Sequence, residues 1–514
     1  MTLYRANRRG PFLYLALAVL VLAACNGGAV DQGPSLAEIP DQATTLGEQV
    51  IVPLTVTHAN PAEVVVAASS SDGAVVPDSA IAIAGAGANR TITITPSNTT
   101  AGTARITVVA VDSQSRAATE EFDLVVEVPF AGKDQVLETS EADAIGVAVA
   151  IDGGVAVSTG VDYAYVFQYT GGAWQELAKL LRPSENGVGP ANGFGEAVAI
   201  AGGYVLVGAP EANDTYDEQG SATVFERDGD TYMRRMQVHD QAPEMGDHMG
   251  DSVGLSGEYL FAGAPGASEA GYDSGSVVLF GPDDVEGWSL FAKLTPRELD
   301  ESDDEQKAEK DANGDVNDAR VFGDALDVAG ELVVVGDYGD VKRGADAGAA
   351  YVFEVVSGFW QQTARLVPDE LEAGDQFGIS VAGDGAWVLV GAWNDDDAAD
   401  DAGAVYVYKK TGSDWVQVDK LFASDASAFS GFGSGVALSY PYAAVAAMLD
   451  DEAGNNAGAV YVFRHDGDTW HELVKLTSPQ PSADSQFGWD VDISGDFIIA
   501  SQFGDALTVI FQRQ

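Results

Sequence analysis

The stretch QFGISVAGDGAWVLVGAWNDDDAADDAGAVYVYKKTGSDWVQVDKL, residues 376–421, contains four short apolar runs separated by turn residues. Valine, tyrosine and tryptophan are frequent in the runs. Glycine, aspartate and serine are frequent between them, which is typical of β-strands joined by tight turns. No run has a helical period. The stretch therefore predicts four consecutive strands at Ile379–Ala382, Trp387–Trp393, Gly403–Tyr408 and Trp415–Leu421.

The same unit recurs along most of the chain. It begins with a Phe-Gly pair, or with another apolar residue before glycine. The apolar residues of these pairs are Ile145, Phe194, Met249, Phe322, Phe377, Phe432 and Phe487. Most of the intervals are 55 residues long, whereas the interval that ends at Phe322 is longer because it carries an insertion. So regular a period indicates a repeat architecture.

Four-stranded units repeated at a fixed interval predict a β-propeller, and an open β-solenoid is the alternative. The two ends of the repeat region complement each other. The last copy, Gln486–Phe511, has three strands, and an additional strand at Gln135–Glu138 precedes the first copy. If that strand joins the last copy, it closes a ring of seven and removes the exposed sheet edges. We therefore expect an all-β chain with a seven-bladed β-propeller at residues 131–514.

The succession FG…GAP…GAVYVF…W…KL resembles the FG-GAP repeat of bacterial surface proteins, which is related to the propeller of the integrin α-chain. The resemblance covers the chain from about Phe130 to the C-terminus. Repeats of the integrin type usually carry a calcium-binding DxDxDG sequence in the turn between the first two strands. This chain has short turns there, such as AGG, SGE and GDG. The family's usual calcium sites are therefore not expected here.

Residues 1–25 have the character of an export signal. Basic residues precede an apolar run, Phe12–Ala24, that is too short to span a bilayer. The run ends in Leu-Ala-Ala-Cys, which resembles a bacterial lipobox and implies that Cys25 is acylated. An ordinary signal peptide with a chance cysteine is the alternative. We expect an exported lipoprotein that Cys25 anchors in a membrane. The outer membrane is favoured because Asn26 stands where an aspartate would signal inner-membrane retention.

Residues 26–34 are glycine-rich, which predicts a flexible tether. Residues 35–128 then change in composition and contain no tryptophan, tyrosine or cysteine. Their apolar residues alternate with polar ones in about seven short runs, as in Val50–Val56. This pattern predicts half-buried strands and is typical of an Ig-like β-sandwich. The segment is also similar to bacterial Ig-like and cadherin-like modules, so we expect a sandwich before the propeller.

The chain is strongly acidic. It has 79 Asp and Glu against 26 Lys and Arg, which gives a formal net charge of −53. This excess argues against nucleic-acid binding, which depends on Lys and Arg, and against adsorption to anionic lipid. Acidic residues are concentrated in loops such as Asn394–Gly403 and in an insertion at 298–318. We expect both on one rim of the ring, and solubility in a salty medium is the alternative explanation of the charge.

We find no sequence pattern of catalytic residues and predict a protein that is not an enzyme. Carboxylates are too numerous for a catalytic pair to be selected, and the glycine-rich turns are hairpins rather than phosphate-binding loops. His239 and His248 bracket two aspartates in one loop and are a candidate transition-metal site. A solvated loop is the alternative.

One motif in the acidic insertion has the residue types and spacing of a calcium-binding loop. Asp311, Asn313, Asp315 and Asn317 place oxygen-bearing side chains at alternate positions of a loop, and calcium takes six to eight such ligands. The motif resembles the start of an EF-hand-like or dockerin-like loop. It departs from that pattern because valine replaces the turn glycine and Phe322 stands where the final acidic residue belongs. Calcium is therefore the one candidate cofactor, and a solvated insertion is the alternative.

Three functions fit these observations. The first is a lipid-anchored cell-envelope protein whose propeller binds another protein or a glycan in adhesion, with the Ig-like segment as a stalk. The second is an extracellular propeller enzyme, a hydrolase or lyase acting on polysaccharide or phosphate esters. Histidine, arginine and carboxylates from different blades would then meet at the central channel. The third is a structural spacer. We favour the first and expect an unidentified protein or glycan partner.

Overall fold

A computed structural model describes most of the chain. The described residues are 33–130, 133–183, 192–213, 216–257, 259–268, 274–283, 287–297, 321–467 and 469–513. They form β-strands and three single-turn 3-10 helices, at Pro61–Glu63, Asp78–Ala80 and Phe503–Asp505. Within these ranges no helix is long and apolar enough to cross a membrane. The predicted all-β composition is therefore confirmed for this part of the chain.

The described chain divides into two compact units. The first takes residues 33–41 together with Gln49–Thr95 and Ala104–Asp123. The second takes Gln42–Glu48, Pro96–Thr103 and residues 124–513.

The N-terminal strands form two four-stranded sheets. The strands are β1 Ser35–Leu36, β2 Gln42–Thr45, β3 Val50–Thr57, β4 Val65–Ser70, β5 Ile81–Ala84, β6 Asn89–Ile94, β7 Gly102–Val111 and β8 Ala117–Glu127. One sheet has the order β1-β3-β6-β5, and the other has the order β2-β8-β7-β4. Along β3 the side chains of Val52, Leu54 and Val56 are buried and their neighbours are exposed. The alternation predicted for this segment is therefore present.

Seven further four-stranded sheets follow, and we number them 1 to 7 in chain order. Their strands are β9 Asp134–Val136, β10 Val149–Asp152, β11 Val155–Gly160, β12 Tyr163–Thr170, β13 Ala173–Leu181, β14 Val198–Ala201, β15 Tyr204–Ala209, β16 Ser221–Asp228, β17 Thr231–Val238, β18 Val253–Ser256, β19 Tyr259–Ala264, β20 Ser276–Asp283, β21 Gly287–Leu294, β22 Leu326–Ala329, β23 Leu332–Asp337, β24 Ala349–Val356, β25 Phe359–Leu366, β26 Phe377–Asp384, β27 Trp387–Ala392, β28 Ala404–Thr411, β29 Asp414–Leu421, β30 Phe432–Ser439, β31 Tyr442–Ala447, β32 Ala459–His465, β33 Trp470–Leu476, β34 Phe487–Ser494, β35 Phe497–Gln502 and β36 Leu507–Gln512.

Sheets 1 to 6 each take four strands that are consecutive in the sequence, from β10–β13 for sheet 1 to β30–β33 for sheet 6. Their strands pair antiparallel with the next strand along the chain, as the short turns between apolar runs predict. The strands predicted from residues 376–421 agree with β26 to β29 to within a few residues.

Sheet 7 is assembled from both ends of this region. It has the order β34-β35-β36-β9, so its fourth strand comes from the segment that precedes sheet 1. Val136 is opposite Val509, and Gln135 is opposite Ile510. The Leu137 N–H continues the pairing by donating to the Thr508 carbonyl oxygen at 2.9 Å. The pairing that the sequence predicts between the segment near Gln135 and the last copy is therefore present.

Hydrophobic clusters lie between consecutive sheets. Between sheets 5 and 6, for example, Leu389 and Val405 pack with Val445 and Tyr461. A corresponding cluster joins sheet 7 to sheet 1 and contains Leu137, Ile145, Trp174, Ile499 and Ile510. Each sheet therefore buries both faces against its neighbours, which removes apolar surface from water.

The Phe-Gly pairs form part of these clusters. Phe322, Phe377 and Phe432 are fully buried. Each makes an edge-to-face contact with a tyrosine of a third strand, and the centroid distances are 5.2 Å to Tyr351, 5.2 Å to Tyr406 and 5.4 Å to Tyr461. Aromatic pairs favour this geometry. The Phe-Gly and AVYVF parts of the repeat are therefore contacts of the core.

One glycine contact explains why the repeat keeps a glycine near the end of its second strand. A Cβ added to Gly391 would lie 2.0 Å from the carbonyl oxygen of Gly433, which belongs to the Phe-Gly pair of the next copy. Only glycine allows two backbones to approach so closely. The glycines of the repeat therefore fix the distance between neighbouring sheets.

Taken in order, the sheets place their first strands, β10, β14, β18, β22, β26, β30 and β34, around a common cavity. Many four-stranded antiparallel sheets repeated in this way are consistent with a β-propeller.

Candidate functional site

The central cavity has a volume of about 920 Å³ and is lined by the seven first strands. Small side chains such as Ala150, Ala199, Gly254, Ala382 and Ala437 leave the space open. Carboxylates from several sheets also line it, whereas no Lys, Arg or His occurs among its described lining residues. The cavity is therefore an acidic channel at the centre of the second unit.

Three carboxylates lie at the same position of consecutive repeats, two residues after the apolar residue of the Phe-Gly pair. They are Glu196, Asp251 and Asp324, and we call them the mouth carboxylates. Asp251 and Asp324 lie close enough to influence each other's pKa. Burial, together with the charge of Asp251, raises the pKa of Asp324 to about 8, and burial raises the pKa of Asp251. Burial therefore favours the protonated form of both carboxyls, and the charge of Asp251 adds to this effect at Asp324.

Three more carboxylates lie deeper in the channel and bind the backbone of the neighbouring sheet. Asp490 accepts a hydrogen bond from the Val149 N–H at 2.7 Å, and Asp492 accepts one from the Ile151 N–H at 2.7 Å. Asp327 accepts one from the Gly383 N–H at 2.7 Å. First strands are sheet edges, so these N–H groups have no partner within their own sheet. The aspartate carboxylates therefore accept the hydrogen bonds that these N–H groups would otherwise lack.

Burial in the channel also raises the pKa of each of these aspartates, although the hydrogen bonds from N–H groups act in the opposite direction. The pKa of Asp490 is raised to about 6 and that of Asp492 to about 8, and the pKa of Asp327 is raised. The charge of Asp327 also raises the pKa of Asp492, and the charge of Asp384 raises that of Asp327, because like charges repel. The channel therefore contains carboxyls that titrate near neutral pH.

Side-chain links of this kind occur between most neighbouring sheets. Each joins a residue of one first strand to the backbone of the next sheet. Further examples are Asp152 with Gly202 N–H, Ser256 with Gly330 C=O, Asp384 with Tyr440 N–H, Ser439 with Gly495 N–H and Ser494 with Gly153 N–H. Part of the channel's acidity therefore has a structural role.

Aromatic residues lie on the other side of the same channel mouth. Trp489 occupies the position in sheet 7 that the mouth carboxylates occupy in sheets 2 to 4, and it stacks on Phe503 with a centroid distance of 4.6 Å. Trp489 is 40% exposed and Phe503 is 43% exposed. Trp393 also lines the cavity. We call Trp393, Trp489 and Phe503 the mouth aromatics.

The acidic loops between second and third strands are partly structural. Asp395 is buried, accepts a hydrogen bond from the Tyr406 hydroxyl at 2.9 Å and pairs with Lys420 at 2.7 Å. The lysine is the one in the Lys-Leu ending of the repeat. The same three-residue arrangement recurs in two other sheets, as Asp340, Tyr351 and Arg365 and as Asp450, Tyr461 and Lys475. Some of the rim charge is therefore compensated within the fold.

The residues that the sequence singles out for calcium and for lipid attachment lie outside the described residues. They are Asp311, Asn313, Asp315, Asn317 and Cys25. The structure neither places them together nor separates them.

The His239 loop is described. In it Asp240 pairs with Lys293 at 2.5 Å, and Asp247 accepts a hydrogen bond from the Glu244 N–H at 2.7 Å. His248 is 3.8 Å from Glu218. In the described part of the chain no group of three or more His, Cys, Asp and Glu is placed to hold a metal ion.

The sequence analysis did not select the mouth carboxylates or the mouth aromatics. A signal was available, because aligning the copies on their Phe-Gly pairs puts Glu196, Asp251, Asp324 and Trp489 in one column. The sequence alone did not show that this column faces a channel.

The geometry can be compared with known proteins. A model of the FG-GAP repeat matches residues 174–225, 360–408, 415–463 and 470–509. The chain carries FG-GAP repeats. Each matched FG-GAP repeat begins at the tryptophan of a fourth strand and ends in the third strand of the next sheet. One FG-GAP repeat therefore covalently joins two sheets, and the last FG-GAP repeat ends on the strand that pairs with β9.

No curated protein matches the sequence. Among solved structures, the chain is similar over part of its length to single titin domains. A chimeric titin Z1Z2 is 18% identical, over 19% of this chain and 96% of that chain, with a TM-score of 0.16. Titin M4 is 17% identical, over 19% of this chain and 98% of the titin chain, with a TM-score of 0.15. Likeness at this level carries no argument about function.

Proposed function

We propose that this protein is a lipid-anchored envelope protein in which a seven-bladed propeller of FG-GAP repeats binds another protein or a glycan. The observation that carries the proposal is the channel mouth, where exposed aromatics lie opposite carboxylates. Exposed aromatic side chains at a concave site are typical of binding surfaces. FG-GAP repeats suggest a propeller-type interaction module, in agreement with this site.

The seven-bladed ring is supported by three observations. Seven four-stranded sheets follow one another in the described residues. A hydrophobic cluster lies between sheet 7 and sheet 1 as it does between sequential neighbours. The backbone N–H groups of Val149 and Ile151 in sheet 1 donate to Asp490 and Asp492 in sheet 7. Together these contacts favour a closed ring over an open solenoid.

The N-terminal part of the proposal rests on sequence and strand pattern. The lipobox-like ending at Cys25 supports acylation and, with Asn26, sorting to the outer membrane. The two four-stranded sheets of the N-terminal strands support an Ig-like sandwich, which would serve as a stalk after the tether. Whether the propeller faces the periplasm or the cell exterior depends on the sorting of the lipoprotein.

The raised pKa of Asp324, about 8, is the feature that favours an enzyme, since a carboxyl that stays protonated near neutral pH can act as a general acid. The enzyme hypothesis also expects histidine and arginine at the channel. The described lining has carboxylates without them, so binding is the better-supported function. Loss of a polysaccharide- or phosphoester-cleaving activity in Asp324→Asn would favour the enzyme.

The test uses the Cys25→Ser chain, which we expect to be released from membranes and to incorporate no labelled palmitate. This soluble chain should bind a component of a glycan array or of purified envelope proteins in a saturable way. Trp489→Ala should weaken that binding by about tenfold. Phe359→Ala, which removes an exposed aromatic of an outer strand, is the matched control and should leave it unchanged.

Two outcomes would contradict the proposal. An equal loss of binding affinity in Trp489→Ala and Phe359→Ala would show that the channel mouth is not the binding surface. A Cys25→Ser chain that still partitions with membranes would show that the anchor is wrong.

A further inference from the structure

We propose that the central channel binds a linear polyamine, whose ammonium groups contact the mouth carboxylates and whose methylene segments pack on the mouth aromatics. The proposal goes beyond the proposed function, because it assigns a small-molecule site that requires no macromolecular partner. It rests on the shape of the cavity, its acidic lining and its exposed aromatics.

The shape of the cavity suits a chain-like ligand. Its lining extends from the second to the sixth or seventh residue after the apolar residue of each Phe-Gly pair. At a rise of roughly 3.3 Å per residue this is a length of about 17 Å. Alanine, glycine and serine recur among the lining residues beside valine, isoleucine and leucine, and the volume of about 920 Å³ exceeds what one side chain fills. A long and narrow ligand therefore fits better than a compact one.

The charge of the cavity requires a cation. Its described lining contains carboxylates and no Lys or Arg. The deeper Asp327, Asp490 and Asp492 each receive backbone N–H groups. In the described part of the chain no backbone N–H of a neighbouring sheet donates to a mouth carboxylate, although His248 lies close enough to Asp251 to lower its pKa. With a formal net charge of −53 the chain also attracts cations over a distance and repels anions.

The spacing of the carboxylates favours several separate ammonium groups over one metal ion. Asp324 lies three residues before Asp327 in the same repeat, which is roughly 10 Å along the channel. In the described residues no three acidic or histidine side chains approach closely enough to hold a metal. Cations joined by flexible methylene chains can reach both levels.

The mouth aromatics also suit a polyamine ligand. Trp489 and Phe503 stack on each other and remain 40% and 43% exposed, so one ring face of each is available to a ligand. Tryptophan and phenylalanine attract cations through their ring faces and also accept methylene groups. A polyamine carries both cationic groups and apolar C–H groups. A bare divalent ion carries only the charge, and a neutral sugar carries only the C–H groups.

Isothermal titration of the purified full chain with spermidine, at about 0.15 M salt, tests the proposal. We expect one saturable site and a raised melting temperature. Asp251→Asn/Asp324→Asn should weaken binding by about tenfold or more, since charge-assisted hydrogen bonds are lost. Asp396→Asn/Asp400→Asn removes two exposed carboxylates of a rim loop and is the charge-matched control. It should change binding by less than about twofold.

Several results would overturn the proposal. Many weak sites that both double variants reduce equally would show a diffuse attraction to the acidic surface. Equally tight binding of magnesium or of uncharged octanediol would show that ammonium groups are not recognised. A lysine-rich peptide that binds more tightly through the same residues would identify a basic protein partner instead. If the channel double variant does not fold by circular dichroism, unchanged spermidine binding by the exposed Trp489→Ala would contradict the site.

Discussion

Leu137→Ala tests whether the ring is closed. Leu137 follows β9 and is buried in the cluster between sheet 7 and sheet 1. Its truncation removes three carbons at about 0.8 kcal/mol each, or about 2.4 kcal/mol, before the cost of the cavity is added. Buried leucines in well-packed sites cost about 2–5 kcal/mol on truncation to alanine. We therefore expect the free energy of unfolding to fall by that amount.

The repeat supplies a matched comparison. Leu366 ends the fourth strand of sheet 4 and is buried to the same extent as Leu137, at 3% exposure for each. If β9 is a full fourth strand of sheet 7, Leu137→Ala and Leu366→Ala should cost similar amounts. Glu138→Ala is the exposed control and should change stability by no more than about 0.5 kcal/mol.

The measurement is urea unfolding of the full chain, followed by tryptophan fluorescence. Trp174 lies in the same cluster as Leu137 and reports on this junction. A free energy of unfolding that falls no further in Leu137→Ala than in Glu138→Ala would refute the closure of the ring. That result would mean that β9 adds nothing to the stability of sheet 7.

Three other predictions concern charge. Burial raises the pKa of Asp492 to about 8 and that of Asp490 to about 6. The folded state therefore holds protons that the unfolded state releases near pH 4. Stability should fall as pH rises from about 4 to 8, by at most roughly 1.4 kcal/mol per pH unit for each group, and urea unfolding of Asp492→Asn should show a flatter profile. Asp395→Ala should cost about 3–5 kcal/mol in the same assay, because Tyr406 and Lys420 lose a buried partner, whereas the exposed Asp397→Ala should cost under about 1 kcal/mol. Calcium should raise the melting temperature at low ionic strength. We expect sodium chloride to reproduce most of that gain and Asp311→Ala/Asp315→Ala to change little; a shift that survives high salt and vanishes in this variant would identify a specific site.

The repeat could be predicted from sequence because its contacts are local and periodic. Turn residues and strand-forming residues alternate within each copy, so the four strands of residues 376–421 follow from short-range preferences. The pairing of β9 with β36 was also predictable, because a three-stranded last copy lacks one strand and an extra strand precedes the first copy. Here a count of strands was sufficient.

The candidate site could not be predicted in the same way. Glu196, Asp251 and Asp324 are three acidic residues among 79. Their significance comes from burial in a shared channel, which depends on how consecutive sheets are arranged. The rim aspartates show the opposite case. Asp395 looks like part of a solvated acidic loop, but the fold buries it against Tyr406 and Lys420.

The origin of β9 has a consequence for the synthesis of the protein. Val136 and its partner Val509 are among the first and last residues of this region to emerge. Until the C-terminal strands arrive, the incomplete ring has open edges at both ends, and an unpaired edge is prone to pair with other chains. A chain truncated before β36 should therefore aggregate or be degraded instead of accumulating as a smaller propeller.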